Sequence, residues 1–131
     1  MDYKDLAQKW FNKGNNDLTA GKYLLSMPES PADIICFHSQ QAVEKYIKSF
    51  LALHGREIPR IHDLEEIISL CEEIDSEFFE LYEISSELSS YAVDVRYPME
   101  GDYDISIEDA HRAIEIAEKI KKFILNKLKS S

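Results

Sequence analysis

The sequence predicts an all-α protein, an up-and-down bundle of about five helices in a single domain over residues 1–131. Three observations predict this fold. Apolar residues recur at spacings of three and four along most of the chain. No segment shows the alternation typical of a strand. Gly and Pro number only four each, too few for the many tight turns of an all-β fold.

The first two helices are predicted to form a hairpin. An apolar stripe runs from Tyr3 to Leu25, and Pro28 ends the helix near residue 26. Gly14 and Gly21 lie on that stripe, where they weaken a helix and favour the close approach of a neighbouring one. The second helix should begin with Ser30 as N-cap and Pro31 as its first residue. Its predicted end is at His54, with Gly55 as the C′ residue, and the short connection favours antiparallel packing.

Three further helices follow in the second half of the chain. Asp63 is the predicted N-cap of a short third helix. The fourth should begin near Asp75 or Ser76 and end at residues 96–98, because Pro98 disfavours helix in the residue before it. Ser106 to Asp109 resembles a capping box that opens the last helix, which we expect to reach about residue 128.

Charge, composition and hydropathy exclude several classes of protein. The net charge is −10, and residues 63–104 contain 14 acids with Arg96 as the one Lys or Arg. RNA is therefore an unfavoured partner, since affinity for phosphates comes largely from Lys and Arg. No apolar run approaches the ~20 residues that span a bilayer. We expect a soluble cytoplasmic protein with no membrane association, and with Cys36 and Cys71 as buried thiols.

The residues at the end of the fourth helix form the first candidate site. Arg96 followed by Tyr97 could bind a phosphate or nucleotide, or act in catalysis, as a permanent cation. The alternative is a structural ion pair of Arg96 with Asp94, Asp102 or an acid on another helix.

A polar stripe on the second helix forms the second candidate site. His38, Gln41 and Lys45 follow at spacings of three and four, with Lys48 three residues further on. They could hold a polar ligand in a cleft, or they could satisfy polar groups between the first two helices. Pairs such as His38 with Glu44 are simpler as helix-surface residues than as metal ligands, so neither a metal nor a cofactor is predicted.

The order of these motifs resembles that of the HEPN domain, the higher eukaryotes and prokaryotes nucleotide-binding domain. Residues 37–48, FHSQQAVEKYIK, are similar to the second-helix signature of that family. The similarity continues at Gly55, residues 58–59, residues 62–64 and residues 91–98, and so covers nearly the whole chain. It implies a helical bundle that commonly forms a homodimer. It also implies a frequent pairing with a minimal nucleotidyltransferase in two-component, toxin–antitoxin-like systems.

Catalytic members of the family are metal-independent endoribonucleases that carry Arg, four to six residues, then His at the end of a late helix. If Arg96 were that arginine, the histidine would be residue 101, 102 or 103, and these are Gly, Asp and Tyr. A literal match does occur from Arg56 to His62, but it follows the second helix, and such short spacings arise by chance.

The sequence therefore predicts a non-enzymatic, dimeric module that binds a nucleotide or a nucleotidyltransferase partner. Its predicted binding residues are Arg96, Tyr97, His38, Gln41 and Lys45. The alternative is a metal-independent endoribonuclease toxin with a non-standard Arg/His pair, such as Arg56 with His62.

Overall fold

Helices account for all the regular structure in the part of the chain that is described. The computed structural model describes residues 2–92 and 105–130. Over these ranges it contains α1 (Tyr3–Leu25), α2 (Ala32–Leu53), α3 (Leu64–Glu72), a 3₁₀ helix (Ser76–Leu81), α4 (Tyr82–Ala92) and α5 (Ile107–Lys129), and no strand. The predicted all-α bundle of five helices is confirmed. None of the helices in these two ranges has both the length and the apolar composition that crossing a membrane requires.

Helices α1 and α2 pack closely because glycines lie at their contact. A Cβ atom built on Gly14 would lie 2.7 Å from the ring of Tyr46 and 3.1 Å from the carbonyl oxygen of Ala42. One built on Gly21 would lie 3.8 Å from the Cβ of His38. Residues later in α1 thus contact residues earlier in α2, so the hairpin is antiparallel. Both predictions, the close approach and the antiparallel packing, are confirmed.

Helix α2 forms the centre of the bundle. It contacts α1, α3, α4 and α5, and it is buried on most of its circumference. Near its C-terminal end the ring of Phe50 lies 4.5 Å from that of Phe78 in the 3₁₀ helix, which in turn lies 5.1 Å from Phe123 of α5. Aromatic pairs at these distances contribute beyond the area they bury, and this row joins three elements across the core.

Three predicted helix boundaries are confirmed by hydrogen bonds. Ser106 and Asp109 form a reciprocal capping box at the start of α5. The carboxylate of Asp63 accepts from the first-turn amides of α3. Gly55 has φ of +67°; its amide donates to Ala52 and that of Arg56 donates to Leu51, which is the Schellman arrangement at a helix end.

Other predicted details are wrong. Ser30 does not cap α2: its hydroxyl donates back to the carbonyls of Leu25 and Met27, and Pro31 occupies the N-cap position without a side-chain bond. The segment after Asp75 begins as the 3₁₀ helix and continues as α4 only from Tyr82. Tyr3, expected on the apolar stripe of α1, is 60% exposed.

The glycine contact generates a stability prediction. Gly14→Ala should lower the free energy of unfolding by about 1–3 kcal/mol, because the new methyl group overlaps a buried ring and a carbonyl that cannot easily move. Gly21→Ala is the matched control, since the one tight contact of its methyl group is with the terminal Cδ1 of Ile114 at 3.1 Å, and its other neighbours lie at 3.8 Å. Urea unfolding of both variants measures the difference, and equal losses would contradict this account.

Candidate functional site

A carboxylate on α1 brings together two of the predicted site residues on α2. Asp17 lies opposite the polar stripe of α2, and its Oδ1 is 3.1 Å from Nδ1 of His38. Its Oδ2 accepts a hydrogen bond from Nζ of Lys45. The side chains of His38 and Lys45 are 29% and 28% exposed, and that of Asp17 is 14% exposed. We call this group, with Gln41, the Asp17 face.

Helix geometry explains why these side chains meet. Residues 38, 41 and 45 fall on one side of α2 because 3.6 residues complete a turn. Gly14 and Gly21 let the backbone of α1 come near enough for a short carboxylate to reach that side. Gln41 lies between the two bonded residues, half-buried, and forms no hydrogen bond to any described residue. Asp17 therefore bonds the ammonium group of Lys45 and the imidazole of His38. The amide of Gln41, between them in the sequence, has no hydrogen-bond partner among the described residues.

A second polar cluster is centred on Glu44, the residue of α2 that precedes Lys45. Glu44 and Lys48 are ion-paired at 2.9 Å, and each side chain is only 5% exposed. Nδ1 of His62, from the connection between α2 and α3, lies 3.1 and 3.0 Å from the two oxygens of Glu44. Nζ of Lys48 also lies 5.8 Å from the ring of Trp10. The buried carboxylate is thus satisfied by two donors from different elements.

A third cluster joins the end of α4 to α5. Arg112 donates through Nε and Nη2 to the two oxygens of Glu87, at 2.7 and 3.0 Å, and Tyr91 donates to the same carboxylate at 2.6 Å. The hydrogen bond from Arg112, followed by that from Tyr91, lowers the pKa of Glu87 from 4.5 to about 2. The bond to Glu87 in turn raises the pKa of Tyr91 to about 12.

The predicted site residues fall into three groups. His38, Gln41 and Lys45 share one face, as predicted from their spacing. His62 is bonded to Glu44 and not to a residue of the Asp17 face, whereas Arg56 is exposed and makes no ion pair with a described residue. Arg96 and Tyr97 lie outside the described residues, and their proximity to the Asp17 face stays a prediction.

The described part of the chain gives no metal centre. No group of three or more His, Cys, Asp or Glu residues within it is arranged to hold a metal ion. His38 and Glu44, the pair considered from the sequence, have different partners. Burial raises the pKa of the Cys36 thiol to about 12 and also raises that of Cys71. Both cysteines are free and buried, as predicted, which disfavours the reactive thiolate.

Sequence reasoning missed the roles of four residues in these clusters, which are Asp17, Glu44, Glu87 and Arg112. Asp17 belongs to a polar run, residues 15–17, inside an apolar helix, and that break in the pattern was the available signal. Glu44 precedes Lys48 by four residues, the spacing of a helical ion pair, but nothing in that spacing indicates burial. Arg112 pairs with Glu87 across 25 residues of sequence, for which no local signal exists.

A comparison with models of protein families shows which family the chain belongs to. A model of the HEPN domain matches residues 7–128. The chain belongs to the HEPN family. The match begins in the first turns of α1 and ends in the last turn of α5, so the Asp17 face lies within the HEPN domain.

Two solved structures share the fold. The protein TT1696 from Thermus thermophilus is 24% identical, with a TM-score of 0.76 over 92% of this chain and 97% of its own. ST0689, described as an archaeal HEPN homologue, is 21% identical, with a TM-score of 0.73 over 93% of this chain and 97% of its own. At these identities the likeness shows the fold alone. No curated protein sequence matches the chain.

The Asp17 face generates a prediction about stability. Asp17→Asn should lower the free energy of unfolding by about 1–3 kcal/mol, because it weakens two hydrogen bonds to a charged acceptor that is largely buried. Glu118→Gln is the matched control. It breaks an ion pair with Lys22 whose side chains are 51% and 40% exposed, and such pairs contribute about 0–1 kcal/mol. Denaturant unfolding of both variants measures these losses. Equal losses in the free energy of unfolding would contradict the prediction.

The Glu87–Arg112 cluster generates a prediction about pH. The folded state lowers the pKa of Glu87 from 4.5 to about 2, so the stability it contributes is complete above pH 4.5 and is lost as the pH falls toward 2. Wild type should therefore be more stable than Glu87→Gln at neutral pH, and the difference should shrink through this acid range. Unfolding measured at several pH values tests it. Glu83→Gln, at an exposed position on the same helix, should show little difference at any pH.

Proposed function

We propose that this HEPN-domain chain is a non-enzymatic binding module that acts as a homodimer. In this proposal the Asp17 face receives a nucleotide, or a minimal nucleotidyltransferase protein of a two-component, toxin–antitoxin-like pair. The observation that carries the proposal is the preformed geometry of the face. Asp17 fixes His38 and Lys45 on either side of Gln41, whose amide has no hydrogen-bond partner among the described residues.

The face offers several hydrogen-bonding groups in known positions. Lys45 carries three N–H donors, of which the bond to Asp17 uses one. The second ring nitrogen of His38 and the amide of Gln41 add donors and acceptors that suit a phosphate or the edge of a base. Because Asp17 already bonds His38 and Lys45, a ligand would order these two side chains at little additional cost in side-chain entropy.

Charge explains the role assigned to Arg96. The negative charge of Asp17 offsets that of Lys45, so the described part of the face is a weak attractor for anions. In the proposal Arg96, with Tyr97 beside it, supplies the additional fixed cation that a phosphate or an acidic partner would need.

The state of the histidines supports a binding function over catalysis. The sequence lacks the histidine expected five to seven positions after Arg96. His62, the histidine of the other Arg/His match, has Nδ1 bonded to the buried Glu44, which gives that side chain a structural role. His111 is exposed on α5.

Titration calorimetry with ATP and with AMP tests the nucleotide arm of the proposal. Gln41→Ala should weaken binding by about 0.5–1.5 kcal/mol, because it removes hydrogen bonds to the ligand without breaking one inside the protein. Arg96→Gln should weaken it by about 1–3 kcal/mol, with little loss of melting temperature. Gln8→Ala is the control, since Gln8 is exposed on α1 and bonded only to Asn12 among the described residues.

Two outcomes would contradict this assignment. A large loss of stability in Arg96→Gln with unchanged binding would make Arg96 a structural residue. Cleavage of single-stranded RNA in EDTA would favour the endoribonuclease instead. Loss of that cleavage in Arg96→Ala would assign it to Arg96, and loss in His62→Ala would assign it to the match from Arg56 to His62.

Exposed apolar side chains at the α1–α2 connection support the homodimer. Tyr23, Met27 and Ile34 are 73%, 49% and 37% exposed, and neighbouring apolar residues of this size favour burial against another surface. Light scattering at micromolar concentration should give about twice the chain mass of 15.2 kDa. Tyr23→Ser should shift the mass toward the monomer, whereas Phe79→Ser, at an aromatic residue that is 69% exposed elsewhere, should not. A monomeric wild type would contradict the proposal.

A further inference from the structure

The connection between α2 and α3 is attached to the bundle by few polar contacts. The last backbone hydrogen bond before it runs from Arg56 to Leu51, and the next along the chain runs from Ile67 to Asp63. Residues 57–62, which lie between these two bonds, make no backbone–backbone hydrogen bond with any described residue. We call residues 57–62 the strap.

Three side chains account for the attachment of the strap. Ile58 and Ile61 are partly buried and pack against the core. His62 supplies the one side-chain hydrogen bond that the strap makes to the described residues, to Glu44. His62 immediately precedes Asp63, the N-cap of α3, so this bond lies directly beside the start of α3.

His62 contacts a buried ion pair of α2, so the attachment of the strap also affects that pair. Glu44 and Lys48 are each 5% exposed, and such a pair is stable in the interior only while its remaining hydrogen-bonding positions are satisfied. Release of His62 would leave one charge-assisted bond fewer on Glu44. Water could then enter beside the Glu44–Lys48 pair.

We propose that the strap opens as a local unit, and that the bond between His62 and Glu44 is the latch that holds it closed. The inference does not depend on the proposed function, because it concerns only the free energy of a local opening. Segments with few buried apolar contacts and few backbone hydrogen bonds are those that open well below the free energy of global unfolding.

Limited trypsin digestion of the full chain under native conditions tests the latch. Arg56 and Arg60 are exposed cleavage sites in and beside the strap, and cleavage there tracks the population of the open form when opening is fast. His62→Ala should accelerate cleavage at these two sites about 2- to 10-fold, the factor expected for a typical net hydrogen bond, because the side chain of His62 is 65% exposed. Cleavage at Lys13 and Lys22 of α1 should keep its wild-type rate.

Two variants make the test specific. His62→Gln retains a side-chain donor and should restore part of the protection, and His111→Ala removes an exposed histidine from α5 and should change nothing. The proposal would be overturned by an unchanged rate in His62→Ala, or by no recovery in His62→Gln. Equal acceleration at every site, with a lowered melting temperature, would also overturn it, since opening would then be global.

Discussion

The close contact between α1 and α2 is the constraint on which the rest of the structure depends. Gly14 places the backbone of α1 against the ring of Tyr46, and Gly21 places it over the start of α2. Only at that separation can Asp17 reach both His38 and Lys45, and only then does the hydroxyl of Tyr46 donate to Asn15 at 2.7 Å. The polar groups that distinguish the Asp17 face therefore follow from a backbone contact that needs residues without side chains.

Sequence reasoning succeeded where a structural feature depends on neighbouring residues. The capping box of α5, the Asp63 cap and the end of α2 at Gly55 are local patterns with specific backbone consequences. It failed at Ser30, whose hydroxyl could bond forward into α2 or back to α1, and the backward bonds form. The 3₁₀ helix was missed because its six residues form only about two turns, too few for the apolar pattern to distinguish a period of 3.0 from one of 3.6.

The candidate site could be predicted only in part, because its carboxylate, Asp17, comes from a different helix. The spacing of His38, Gln41 and Lys45 predicted that they share one side of α2, and His38 and Lys45 do contact the same carboxylate. What it could not reveal was Asp17, which meets them only through helix packing. The distribution of charge along the sequence also did not predict which carboxylates pair with the lysines of α2. Asp17 and Glu44 lie outside the strongly acidic residues 63–104, yet they neutralise the lysines at the centre of the molecule.

The hydrogen bonds of Glu87 bear on which acids could form a structural ion pair with Arg96. A structural role for Arg96 would need an acid with free capacity, and the end of α4 has one obvious candidate in Glu87. Both oxygens of that carboxylate already accept from Arg112, and one also accepts from Tyr91. A second arginine would gain little there, because the charge is already compensated and the hydrogen-bonding positions are largely occupied. A structural ion pair of Arg96 would then have to use Asp94, Asp102 or an acid on another helix, and both the structural and the binding role of Arg96 stay predictions.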